Sequence, residues 1–270
     1  MSLNRNNLDA AMRALVLEVA QELADIARAE TLHWFRHPSL TTHNKLRDGF
    51  DPVTEADQRT EAAIRAHLAA RRPEDGILGE EHGASASTSG LTWIIDPIDG
   101  TRGFIAGTPC WTVLIALADA EGAFLGVIDQ PFIGERFVGG LGEAWSTGPL
   151  GHRALASRMT PSLSEAVLST TFPEIGTEQE RVAFERVQTQ VRLTRYGMDG
   201  YAYALLAAGQ IDLVVEAGLH PYDIAAPLAV IEAAGGVMTD WSGARVGATR
   251  QVLAAANPAL HAQALALLNA

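Results

Sequence analysis

Apolar positions at Leu8, Met12, Leu15, Val19, Leu23 and Ile26 recur every three or four residues, with Glu18, Glu22 and Asp25 between them. That spacing predicts one long amphipathic helix running to about Phe35. Residues 38–50 are polar, broken by Gly49, and read as a loop. A second helix is expected over 58–70, with Thr54 in its N-cap region and Glu55 and Asp57 favouring its positive start. Residues 76–83 read as a short buried strand closing on Glu80 and Glu81, and 84–90 as a small, polar surface loop. Apolar runs at 111–118, 124–128 and 135–138, separated by turn residues, predict an antiparallel meander.

Past 146–152, where Gly148, Pro149 and Gly151 cluster, the rhythm changes. Strands are expected at 167–170, 191–194, 211–215 and 237–239, and helices at 177–190, 201–208, 222–234 and 258–268. The alternation argues for an α/β unit. The chain therefore divides into an N-terminal α+β lobe, 1–150, and a C-terminal α/β lobe, 151–270.

Composition narrows the function without naming it. With 270 residues, 47% of them apolar and 19% charged, the chain can build a sizeable core. A net charge of −12 argues against nucleic acid as a partner. It leaves an anionic substrate open, because a bound cation inverts the local field. Cys110, expected as a core thiol, is the one cysteine, so an intramolecular disulfide and a cysteine metal cluster are excluded. Residues 1–10 lack a secretory pattern, and no run approaches the ~20 apolar residues of a membrane span. A cytoplasmic location with no membrane partner is the expectation. His33 and His37 lie one helical turn apart but lack the glutamate of a zinc-protease motif, and read as a surface pair. No nucleotide-cradling loop is present, which argues against ATP or GTP.

The candidate chemistry lies in Trp93-Ile94-Ile95-Asp96-Pro97-Ile98-Asp99-Gly100-Thr101. An apolar strand runs into two carboxylates three residues apart, which repel one another unless a cation sits between them. Oxygen-only ligands suit Mg²⁺ better than zinc. The Gly100 and Thr101 amides that follow could open a helix and hold an anion such as phosphate. Asp57, Glu80 and Asp223 also stand at element ends, where function concentrates. Taken singly, Asp57 and Asp223 read as helix-start stabilisers; taken together with the pair, they read as one site.

These residues carry a resemblance. Gly79-Glu80-Glu81, the stretch from Trp93 to Thr101, and Pro221-Tyr222-Asp223-Ile224-Ala225-Ala226 resemble the signatures of the inositol monophosphatase superfamily, as Asp51-Pro52-Val53-Thr54-Glu55-Ala56-Asp57 resembles its upstream motif. Tyr222 stands where many members carry Trp. Asp99-Gly100-Thr101-Arg102-Gly103-Phe104-Ile105, Gly126-Val127-Ile128-Asp129-Gln130-Pro131 and the stretch from Tyr201 to Gly209 look most like the histidinol-phosphate phosphatase branch.

The resemblance implies a layered αβαβα sandwich of the inositol monophosphatase/fructose-1,6-bisphosphatase type. It implies that Glu80, Asp96, Asp99, Asp223 and the carbonyl of Ile98 hold two or three Mg²⁺ ions, one of which activates a water. Glu80 and Thr101, with Asp57 nearby, would orient and deprotonate that water, and the Gly100 and Thr101 amides would bind phosphate. Asp99 and Asp223 would thereby also face the substrate, a small phosphate monoester. Glu216 corresponds to a position that touches the organic moiety in relatives, and could pair with the amine of histidinol or accept bonds from a polyol. Arg195 and Asp199 could line the same pocket or form a solvated pair at a helix start, and Arg102 could hold phosphate or pair on the surface. The implied activity is hydrolysis of L-histidinol phosphate, with inositol monophosphate or an adenosine bisphosphate as the alternative. Relatives are usually homodimers, and the apolar stretch 104–118 could contribute to that contact.

Overall fold

A computed structural model describes residues 2–44, 52–247 and 250–270, so Asp51 and the 45–50 part of the expected 38–50 loop lie outside the described residues. α1 (Ala10–Trp34) starts at Asp9, whose carboxylate accepts the Met12 amide at 2.8 Å, and it buries Val16, Val19 and Leu23 as the apolar spacing requires. β1 (Thr42–Asn44) pairs antiparallel with β2 (Pro52–Thr54). This corrects the loop expectation: all three β1 residues are exposed, so the strand carries no apolar alternation to betray it. α2 (Glu55–Arg71) enters through Thr54.

Eight strands form the larger sheet: β3 (Gly76–Gly79), β4 (Gly83–Ser85), β5 (Thr92–Asp99), β6 (Thr112–Asp119), β7 (Gly122–Gln130), β8 (Glu135–Gly140), β9 (Glu143–Thr147) and β10 (Arg153–Ala154). The short helix α3 (Thr101–Ala106) interrupts them after β5. Their order, β10-β9-β8-β7-β6-β5-β3-β4, contains the expected meander from β5 onward, and β5 runs parallel to β3 on its other side. β4 straddles the end of the expected 76–83 strand and the start of the expected 84–90 loop, again with every residue exposed.

The smaller sheet joins β11 (Val167–Thr170), β12 (Leu193–Tyr196), β13 (Leu213–Ala217), β14 (Val237–Thr239) and β15 (Gln251–Ala255) in the order β12-β11-β13-β15-β14. Four helices alternate with these strands: α4 (Glu178–Gln188), α5 (Asp199–Ala207), α6 (Pro221–Ala233) and α7 (Pro258–Leu268). β15 is absent from the expectations. It is a five-residue run, Gln251-Val252-Leu253-Ala254-Ala255, whose two alanines give a weak strand signal, yet it pairs with β13 and β14 on its two sides.

Alternation along β6 explains the layers. Val113, Ile115 and Leu117 face a core with Val19 and Leu23 of α1 and Ile64 and Leu68 of α2. Leu114, Ala116 and Ala118 face the opposite core, shared with Ala202 and Leu206 of α5, Ile224 and Leu228 of α6, and Val214 of β13. Across the smaller sheet, Leu213, Val215 and Leu253 face Phe184 and Val187 of α4 and Leu260 and Ala264 of α7. A strand buried on both faces reads as one unbroken apolar run, as β6 does. The molecule is an αβαβα sandwich. The stretch 104–118 is spent in this way: Phe104, Trp111 and Val113 to Ala118 are buried within the chain, while Ile105 is exposed. Cys110 is half-buried rather than a core thiol.

α6 lies close enough to the larger sheet that β7 and β8 present glycines to it. A Cβ on Gly126 would overlap the Ala226 carbonyl oxygen, and one on Gly139 would lie 2.5 Å from the Val230 Cα. Gly126→Ala is therefore expected to lower Tm by several degrees, from an overpacking cost of about 1–3 kcal/mol. Gly247→Ala, whose Cβ would meet among the described residues only the Arg245 carbonyl at 3.9 Å, should leave the melting curve in place; equal shifts in the two variants would contradict the close approach.

Candidate active site

One cavity of about 1070 Å³ opens where the carboxyl ends of β3, β5 and β13 meet the starts of α3, α5 and α6. Its lining includes Glu80, Asp96, Ile98, Asp99, Gly100, Thr101, Arg102, Asp199, Glu216 and Asp223.

β5 delivers two acids to this cavity by breaking its own register. Three residues apart in a regular strand, Asp96 and Asp99 would point to opposite faces. The ladder with β6 is irregular between them, at Pro97 and Ile98, where Pro97 has no amide to donate. The Asp96 carboxylate accepts the Ile98 amide at 3.0 Å, which locks the turn. Asp99 accepts the Thr112 hydroxyl at 3.3 Å and the Gly200 amide, tying β5 to α5. Gly200 is required for that approach, since a Cβ there would sit 2.6 Å from Thr112 Oγ1 and overlap the Asp99 carboxylate.

Asp57 and Asp223 occupy the third position of α2 and α6, and each caps its helix with one oxygen while offering the other. Asp57 Oδ2 accepts the Thr54 amide at 2.9 Å and the Thr54 hydroxyl, completing a capping box. Its Oδ1 receives the Thr101 hydroxyl at 3.2 Å, and the same hydroxyl lies 3.1 Å from the Ile98 carbonyl oxygen. Asp223 Oδ2 accepts the His220 amide at 2.7 Å. Tyr222, beside it, stacks on His220 with ring centroids 5.2 Å apart. A carboxylate with two oxygens lets each of these two acids stabilise a helix start and still make a second contact.

The result is a crowd of like charges out of water. One carboxylate oxygen each from Asp96, Asp99 and Asp223 lie within 4.8 Å of one another. Burial raises Asp96 and Asp99 well above the usual carboxylate range, and the neighbouring acids push the same way. Burial also lifts Asp57 and Asp223, each to about 7. Three converging carboxylates, with neither His nor Cys among the donors, fit a hard divalent cation. Glu80, half-buried in the lining of the same cavity, raises Asp96 electrostatically and lies outside the converging trio.

Also in the cavity lining, Glu216 on β13 is held by the Thr171 amide at 2.6 Å, the Thr171 hydroxyl at 2.9 Å and the Thr170 hydroxyl at 3.2 Å. Burial nonetheless raises it to about 8. Asp199 opens α5 with a φ of 43°, a left-handed conformation that Asp tolerates better than most residues, and burial lifts it to about 6 against the opposing pull of Arg102. The Arg102 guanidinium lies 4.9 Å from the Phe172 ring centroid, at the cavity mouth. Arg195 corrects the pocket expectation: it is exposed on β12, the edge strand of the smaller sheet, and does not line the cavity.

Two contributors escaped the sequence reading. Glu61 is fully buried on α2, where its carboxylate accepts the Glu81 amide at 2.7 Å and the His82 amide at 3.2 Å and so fixes the turn that carries Glu80. Its signal was an acid on the buried stripe of α2, four residues after Asp57 and four before Arg65, with which it pairs at 2.7 Å. Arg250, which also lines the cavity, donates to the Gly218 carbonyl at 2.6 Å and the Leu219 carbonyl at 3.2 Å; nothing in its local sequence marks it.

The inositol monophosphatase family model matches residues 12–270. The chain belongs to the inositol monophosphatase family. As a member of this family of metal-dependent phosphatases, it is 41% identical to the chloroplastic bifunctional phosphatase IMPL2 of Arabidopsis thaliana over 81% of its own length and 66% of that protein. It is 36% identical to the histidinol-phosphatase of Chlorobaculum parvum over 90% of its length and 93% of the relative's. An inositol monophosphatase structure from Zymomonas mobilis superimposes with a TM-score of 0.84 at 35% identity, covering 97% of this chain and 100% of that one. A small phosphate monoester fits the family as substrate. Among the described residues no helix is long and apolar enough to cross a membrane.

Two outcomes are expected. A carboxyl whose folded pKa is raised binds more protons folded than unfolded, so the metal-free stability of this family member falls as pH rises from about 4 through about 7. A divalent cation replaces those protons, so Mg²⁺ should raise Tm more at pH 8 than at pH 5; a Tm indifferent to the cation at pH 8 would remove the cation site. Glu61→Gln should raise the metal concentration needed for half-maximal activity roughly tenfold or more, by loosening the turn that carries Glu80.

Proposed function

We propose that the chain is a Mg²⁺-dependent phosphomonoesterase that hydrolyses L-histidinol phosphate to L-histidinol and phosphate, a step in histidine biosynthesis. The observation that carries hydrolysis is the convergence of Asp96, Asp99 and Asp223 within 4.8 Å beside Thr101 and Asp57. Asp96, Asp99, Asp223, Glu80 and the Ile98 carbonyl are the groups assigned to two or three ions. Bound there, the metal supplies Lewis-acid polarisation of the ester and a coordinated water of lowered pKa.

The chain's own residues do the rest of the work. Thr101 gives its proton to Asp57 Oδ1, so its oxygen is turned to accept one from a water lying toward the ester. Asp57, at about 7, can hold the proton passed on to it near neutral pH. Glu80, which also lines the cavity, orients the same water. The Gly100 and Thr101 amides receive the phosphate oxygens, and Arg102, anchored over Phe172, offsets the charge of Asp199.

The choice of leaving group rests on Glu216 and Asp199. Both line the cavity as partners for the ammonium of histidinol, whose charge favours their anionic forms, and the similarity to a histidinol-phosphatase supports the same choice. A cytoplasmic homodimer is the form we assign to it, and light scattering tests the dimer.

Purified protein assayed with L-histidinol phosphate, inositol 1-phosphate and an adenosine bisphosphate, with Mg²⁺ titrated in, is expected to show the highest kcat/KM for the first. Inositol phosphate turned over orders of magnitude faster would transfer the assignment to that ester. Asp99→Asn is expected to abolish Mg²⁺-dependent phosphate release with the fold retained; full activity in that variant would refute hydrolysis at this site.

A further inference from the structure

Five buried side-chain polar atoms among the described residues have no hydrogen-bond partner: Trp34 Nε1, Thr60 Oγ1, Trp111 Nε1, Ser169 Oγ and the Tyr203 hydroxyl. Tyr203 alone of these residues lines the active-site cavity. It is 3% exposed, on α5, four residues after Asp199 and so on the same face of the helix.

The charged groups facing this phenol are all acceptors. Glu216, Asp99 and Asp223 act on it from β13, β5 and α6, yet none takes its proton in a hydrogen bond. Glu216 already accepts three bonds from Thr170 and Thr171. A phenylalanine would fill the same volume of the core shared with Leu206 and Val214 without leaving a polar atom unpaired. A buried donor among acceptors it does not use is matched to an acceptor that arrives with the ligand.

We propose that the Tyr203 hydroxyl is a specificity-determining donor, giving a hydrogen bond to an acceptor atom on the leaving group of the phosphate ester. With the histidinol phosphate reading, on which the identity of that atom rests, the acceptor is a nitrogen of the imidazole ring, while Glu216 and Asp199 face the ammonium. A site built to donate to a substrate atom discriminates against leaving groups that lack it.

The test is Tyr203→Phe, assayed with Mg²⁺ on L-histidinol phosphate and on phenyl phosphate, whose leaving group carries no such nitrogen. The ratio of kcat/KM for the first ester to that for the second is expected to fall roughly three- to tenfold, the range of one neutral hydrogen bond. Tm is expected to be unchanged or higher, because a buried orphan hydroxyl has been removed. An unchanged ratio, whether both activities stay or both fall together, would overturn the proposal, as would a lowered Tm with equal losses on both esters. If the wild-type protein prefers another ester in the panel, the substrate reading fails by itself. The Tyr203 assignment is then decided by the same ratio, taken between the preferred ester and phenyl phosphate.

Discussion

Mutual repulsion among buried carboxylates is the constraint around which this molecule is arranged. Asp96, Asp99 and Asp223 approach one another where burial already disfavours their charged forms. Left as anions they oppose folding, and held as neutral acids they could not bind a cation. The remainder of the architecture supplies backbone hydrogen bonds and packing that keep them together regardless. Such a cluster resembles a strained active site more than a source of stability.

Division of labour between the two oxygens of a carboxylate is the recurring device. Asp57 and Asp223 use one oxygen to cap α2 and α6; Asp57 gives the other to the Thr101 hydroxyl, and Asp223 also offers an oxygen to the carboxylate cluster. Asp96 does the same with a turn amide, and Glu61 spends both oxygens on the loop that carries Glu80. Helix starts therefore serve as mounts. The mounts are themselves placed by close packing, with α6 pressed against glycines of β7 and β8 and α5 drawn to β5 through Gly200.

The wall of the cavity is shared between the two halves of the chain. β5 and the turn after β3 bring Asp96, Asp99 and Glu80, and the C-terminal half brings Asp199, Tyr203, Glu216 and Asp223. Asp199 stands against Gly100 and raises Asp99, so the acids of the two halves act on one another across a single cavity.

Much of this was legible in the chain. The period of α1, the Thr54 cap, the unbroken run of β6 and the acids after Ile95 each follow from local physics, so these elements and the Asp96–Asp99 pair could be read directly, whereas Asp223 joined that pair only through the family resemblance. β1, β4 and β15 could not, because the first two are exposed throughout and β15 is half alanine; each exists through its partners' hydrogen bonds. Arg195 was misplaced for a related reason, since proximity in sequence to the α5 start says nothing about which side of an edge strand meets solvent. Residue type and spacing determined which groups could do chemistry. Only the tertiary structure decided that a register break turns Asp99 beside Asp96, that Glu61 holds the Glu80 turn, and that Tyr203 reaches the cavity unpaired, because each depends on a neighbour distant in sequence.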